Sequence, residues 1–135
     1  TSRALSVTSV QVDPFTTETV YAATLAGLYK TTDGAASWVR IGESLQDQMI
    51  VSMVLDRARP GVMYVAARDG IHRSDDGGKS WVALNEGLAT TNIRSLAQSA
   101  LDPQLFYAGT NGSGLYRSTD GGAHWEALPS VFPKE

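Results

Sequence analysis

The sequence predicts an all-β chain of three consecutive four-stranded antiparallel units, and three observations predict it. The segment Lys30–Trp38 recurs as Arg73–Trp81 and as Arg117–Trp125, so all three tryptophans fall in one pattern about 43 residues apart. Each unit carries four short runs rich in β-branched and aromatic residues, bounded by Gly, Pro, Asn or Asp. No apolar spacing of helical period runs anywhere along the chain. Four short strands repeated every ~40 to 45 residues mark the blades of a β-propeller, because one such sheet cannot bury both faces until neighbours stack on it. A β-sandwich gives no reason for a fixed period, and the coils of a linear solenoid are usually shorter.

The elements follow in order. In the first unit, strands a to d are expected at Val7 to Val12, Val20 to Thr24, Gly27 to Thr31 and Trp38 to Ile41. The second unit places them at Ile50 to Leu55, Val62 to Ala67, Gly70 to Ser74 and Trp81 to Leu84. The third places them at Ile93 to Gln98, Leu105 to Thr110, Gly114 to Ser118 and Trp125 to Leu128. The blades then span residues 6–48, 49–91 and 92–135. Tyr21, Tyr64 and Tyr107 correspond, as do Tyr29, His72 and Tyr116, and Leu45, Leu88 and Phe132. One residue is inserted between Thr110 and Gly114 relative to the stretch from Thr24 to Gly27.

Composition bounds the function classes. The chain has 135 residues and 14.4 kDa, with 42% hydrophobic and 19% charged residues. That suits a folded domain rather than a disordered tail or coiled coil, and no apolar run approaches the ~20 residues of a membrane span. A net charge of −3, with 11 Lys and Arg scattered singly, leaves no basic stripe for nucleic acid. There is no cysteine, hence no disulfide or thiolate chemistry. The chain begins at Thr1 without a signal-like segment, which reads as a processed protein or an excised piece of a longer one. The compartment stays open, with a lean to export.

The repeated pattern, Ser/Thr-x-Asp-x-Gly-x-Ser/Thr-Trp after a strand such as Gly114-Leu115-Tyr116-Arg117, resembles the Asp-box, or BNR, repeat over almost the whole chain. That resemblance implies a propeller of the kind shared by sialidases, xyloglucan-type glycoside hydrolases, the sortilin ectodomain and photosystem II assembly factors of the Ycf48 type. It bears on fold and not on function. Ala35 replaces a box glycine and His124 a box Ser or Thr, so those two turns are expected to be less regular.

The boxes are expected to be structural. A carboxylate followed by glycine closes a hairpin by accepting backbone N–H bonds, while glycine takes φ > 0. Thr31, Asp33 and Trp38, then Ser74, Asp76 and Trp81, then Ser118, Asp120 and Trp125 would serve this role, the indoles packing between sheets. Catalysis instead needs unlike groups converging on one substrate, and radial repetition keeps the boxes apart. Lys30, Arg73 and Arg117 suit blade-edge packing better than a basic arc, and His72 suits packing at a Tyr position. Neither His72 nor His124 has a second ligand at metal spacing, so no metal and no cofactor are expected.

In an antiparallel blade the a–b and c–d turns share one end, and the b–c turns and d–a connections share the other. The second end collects nonrepeating polar residues: Gln46, Asp47, Gln48, Arg68, Asp69, Asn85, Glu86, Asn92, Asn111 and Ser113. Loops on a rigid scaffold usually carry recognition. The reading is a noncatalytic scaffold that binds a protein or peptide partner through this face. The alternative is a fragment of an Asp-box glycoside hydrolase or a carbohydrate-binding propeller, although the Arg triad and Tyr/Glu pair of sialidases are missing. Closed propellers have four to eight blades. Three blades are therefore expected to be completed by a second copy, as a homodimer closing a six-bladed ring, or by further sequence.

Overall fold

The computed structural model describes residues 6–45 and 48–129. Among the described residues, twelve strands are joined by turns and short loops: β1 Val7–Val12, β2 Val20–Thr24, β3 Gly27–Thr31, β4 Val39–Ile41, β5 Ile50–Leu55, β6 Met63–Ala67, β7 Gly70–Ser74, β8 Val82–Ala83, β9 Ile93–Gln98, β10 Phe106–Thr110, β11 Leu115–Ser118 and β12 Glu126–Ala127. They form three sheets, β1-β2-β3-β4, β5-β6-β7-β8 and β9-β10-β11-β12, antiparallel throughout. The fourth strands begin one residue after each tryptophan, at Val39, Val82 and Glu126. The Trp125 N–H, for example, donates to the Glu86 carbonyl at 2.8 Å instead of pairing with β11. One turn of 3-10 helix, Glu43–Leu45, closes by a bond from the Leu45 N–H to the Gly42 carbonyl. Three residues are too few to show a period in sequence.

Each inner strand carries a register shift at the same place, at Val7/Ser9, at Ile50/Ser52 and opposite Gly109/Thr110. Such bulges increase the local twist that lets sheets fan out. The residue bulged out of β1 is put to use: the Thr8 hydroxyl lies 2.5 Å from the Ile50 carbonyl of the next sheet.

Among the described residues, two apolar cores lie between sheets and none lies within one. The first joins Tyr21, Ala23 and Leu28 of sheet one to Ile50, Met53, Leu55, Met63 and Val65 of sheet two, with Trp81 against it. The second joins Tyr64, Ala66 and Ile71 of sheet two to Ile93, Leu96, Phe106, Tyr116 and Trp125 of sheet three. All five residues of β6 are therefore buried, the odd ones facing one neighbour and the even ones the other. Tyr64 meets Phe106 with ring centroids 4.4 Å apart. The expectation that every indole packs between sheets needs correction at Trp38, which is 40% exposed, whereas Trp125 is 5% exposed. No described sheet precedes the first.

Candidate functional site

The boxes come first because they fix which end is free. In each, the opening hydroxyl donates to the Asp and accepts a backbone N–H four residues on: Thr31 from Ala35, Ser74 from Gly78, Ser118 from Gly122. The Asp then accepts the N–H of Ser37, Ser80 or His124, in every case at 2.9 Å. The turns at Ala35 and His124 are as regular as the others, contrary to expectation. Ala35 adopts φ 77°, close to the 94° and 92° of Gly78 and Gly122, and His124 puts Nδ1 2.7 Å from Asp120 Oδ2, where Ser37 and Ser80 place hydroxyls on Asp33 and Asp76. Hydrogen bonds to the charged form, led by the Ser37 hydroxyl and then Thr31, pull Asp33 down to about 2. The His124 side chain, then its N–H, pulls Asp120 to about 2, and Ser80 holds Asp76 well below the usual carboxylate range.

The box turns bond to the a–b loops through Gly34 to Glu18, Gly77 to Gly61 and Gly121 to Gln104. The b–c turns meet the d–a connections at the opposite end, where the Asn111 N–H donates to Asn92 and the Ile71 N–H to Asn85 Oδ1. The basic residues of the third strands lie on their own blades. Lys30 stands over Tyr21 and Arg73 over Tyr64, while Arg117 pairs with Glu126 at 2.8 Å.

The polar residues expected at the free end separate into two groups. Arg68 and Asn92 line one hollow of about 300 Å³, floored by Met49, Val51 and Ala67 and edged by Thr91. Asn111 is tied to Asn92, and Ser113 closes its hairpin by donating its N–H to Thr110. Arg68, Asn92, Asn111 and Ser113 are all exposed. In the second group, the side chains of Asn85 and Asp69 are tied to their own blade. Asn85 clamps the β6–β7 hairpin through Ile71 and the Asp69 carbonyl, so tightly that a Cβ on Gly70 would lie 2.3 Å from its Oδ1. Glu86 is exposed, and only its backbone carbonyl is engaged, accepting the Trp125 N–H. Gln48 is half-buried, and Gln46 and Asp47 lie outside the described residues.

Asp69 turns back to His72, with Nε2 2.6 Å from Oδ1. Burial pushes this carboxyl up, but the hydrogen bond and charge of His72, with a further bond from Gln48, bring it net below its ordinary value. His72 is thus a hydrogen-bonded partner as well as a packing residue. Among the described residues, no three His, Asp or Glu side chains gather as a metal site. A larger hollow, about 450 Å³, opens at the box end between β5 and β9, with Arg57, Gln98, Ser99 and Pro103 on its wall. Asp56 beside it is committed to Arg59 at 2.9 Å and to Gln98 at 3.2 Å. The apolar floor at Met49, Val51 and Ala67 escaped the sequence reading because strand-end hydrophobics look like core residues; their place after polar loops was the one signal.

No family model and no curated protein matches the chain. Solved structures do match. An ancestral GH74 enzyme superposes with a TM-score of 0.78 at 24% identity, over 93% of this chain and 19% of that one. The GH74 xyloglucanase from Xanthomonas campestris gives 0.78 at 17% identity, over 98% and 24%. Ycf48 bound to D1 peptide gives 0.66 at 20% identity, over 90% and 40%. This chain therefore spans well under half the length of each neighbour. At these identities the likeness shows the fold, and that fold is a β-propeller of which the three sheets are successive blades.

Proposed function

We propose that the chain is part of a noncatalytic propeller that binds a protein or peptide on the end bearing the b–c turns. The observation that carries this is the 300 Å³ hollow, whose apolar floor at Met49, Val51 and Ala67 is rimmed by Arg68, Thr91 and Asn92. A small apolar floor with a few convergent polar groups is the usual construction of a recognition site. The propeller neighbour solved with a peptide supports the same reading. Further blades, from a second copy or a longer chain, would complete the ring.

The test is a linear-peptide screen followed by substitution. Arg68→Ala combined with Asn111→Ala should weaken the best binder about tenfold or more, on the order of 1.4 kcal/mol, with an unchanged melting temperature. Arg57→Ala, at the opposite hollow, should leave binding intact. The reverse pattern would move the site to the box end.

A second reading, favoured by the two GH74 neighbours, is a carbohydrate-binding face or a fragment of a glycoside hydrolase. Its mark would be turnover of aryl glycosides that Asp69→Asn abolishes.

A further inference from the structure

Asparagine or aspartate followed by glycine is a chemically reactive dipeptide, and the chain has five: Asp33-Gly34, Asp69-Gly70, Asp76-Gly77, Asn111-Gly112 and Asp120-Gly121. Glycine lacks a Cβ, so its backbone nitrogen can come close enough to the preceding side-chain carbonyl carbon to attack it. In a folded chain the attack requires that both the nitrogen and the side chain be free.

In the four aspartyl cases they are held. The Gly34, Gly77 and Gly121 N–H groups donate to the Glu18, Gly61 and Gln104 carbonyls of the a–b loops at 2.9 to 3.0 Å. The carboxylates before them accept bonds from Ser37, Ser80 and His124, which favour the ionised form, and an ionised carboxylate resists attack. Gly70 is paired with Ala67 in the β6–β7 hairpin, and the Asp69 carboxylate is bonded to His72. The fifth dipeptide differs on both counts. Asn111 and Gly112 are exposed on the turn that carries the single inserted residue, and among the described residues neither the Asn111 side chain nor the Gly112 N–H has a hydrogen-bond partner. Only the Asn111 N–H is engaged, by Asn92 at 3.0 Å, and that group takes no part in the reaction. Gly112 holds φ at 95°, and a Cβ on it would meet no atom within 4 Å, so the turn is open to solvent on that side.

We propose that Asn111 is a site of spontaneous deamidation, which slowly and irreversibly adds a negative charge beside the hollow at the b–c end. The deprotonated Gly112 nitrogen attacks Asn111 Cγ. A bond forms between them, the bond from Cγ to the side-chain nitrogen breaks, and that nitrogen leaves as ammonia with a proton from solvent. Water then adds to one of the two carbonyls of the succinimide and opens the ring, giving an aspartyl or an isoaspartyl linkage at position 111. Nothing is oxidised or reduced, and water is the only co-reactant. The other asparagines are protected: Asn85 and Asn92 precede Glu86 and Ile93, whose side chains crowd the attacking nitrogen, and Asn85 is also tied to Ile71 and Asp69. Asn92, which holds the Asn111 N–H, lines the hollow together with Arg68, so the new carboxylate joins a rim on which Arg68 is the charged residue. The inference holds whatever binds there.

Timed peptide mapping of the folded chain in mildly alkaline buffer tests it. Trypsin cuts after Arg94 and Arg117, which separates Asn111 from Asn85 and Asn92, both in the peptide from Ser80 to Arg94. The peptide from Ser95 to Arg117 should gain the mass of an amide exchanged for an acid and become a substrate for isoaspartyl methyltransferase. It should do so within a few-fold of its rate in the urea-unfolded chain, because the fold does not protect it, while the peptide holding Asn85 and Asn92 stays unchanged. Asn111→Gln should abolish the gain. Conversion slowed by an order of magnitude or more on folding, conversion first at Asn85 or Asn92, or a gain that survives Asn111→Gln would each overturn the proposal.

Discussion

Asp120 shows how one side chain closes a turn. Its carboxylate holds the His124 N–H, the His124 ring and the Ser118 hydroxyl at 2.7 to 2.9 Å, and a protonated carboxyl cannot accept all three as well. Asp33 and Asp120 are depressed to about 2, below the ~3.9 of an unfolded aspartate. A group with a lowered folded-state pKa contributes stability that is present above the unfolded value and lost as pH falls through the folded one. The melting temperature is therefore expected to drop between about pH 4 and pH 2, and Asp33→Asn or Asp120→Asn should flatten part of that drop. Melting curves at half-unit pH steps check this; a slope unchanged in both variants would show that the boxes are not its source.

At the scale of the element, a blade's stability depends on its neighbours. Trp125 is buried against Leu84 and Leu88 of the preceding blade, Trp81 packs half-buried on the first core, and Trp38 has no described blade to meet. Substitution by Ala should thus cost about 3 to 5 kcal/mol at Trp125, less at Trp81 and under about 1 kcal/mol at Trp38, read by urea titration. Equal costs would mean that the boxes stabilise their own hairpins rather than the junctions. The strands themselves were legible in sequence from alternation and turn residues. Their ends were not always legible, because Trp38, Trp81 and Trp125 read as strand residues by type yet lie one residue before the fourth strands.

Across the whole molecule, burial is concentrated in blade two. All of β6 is buried and flanked by both cores, whereas β1 exposes three valines. Amide exchange should consequently be slowest in β6, intermediate in β10 and faster in β1, since a strand packed on both faces opens only when both junctions open. Exchange measured by NMR decides this, and equal protection of β1 and β6 would contradict it. The candidate site was legible only in part at this scale. Arg68 and Asn92 do share one hollow, but Asn85 and Asp69, equally polar and in equivalent loops, are held by Ile71 and His72.

By itself the sequence determined the period, the strand order and the closure of the turns, because each depends on residues within one ~43-residue unit and on contacts made along the chain. Tertiary structure decided which of three equivalent tryptophans is buried, which of three equivalent tyrosines is covered, and which polar loop residues are left free. Those outcomes depend on what lies across a junction, and residues that match in the repeat need not match in their neighbours.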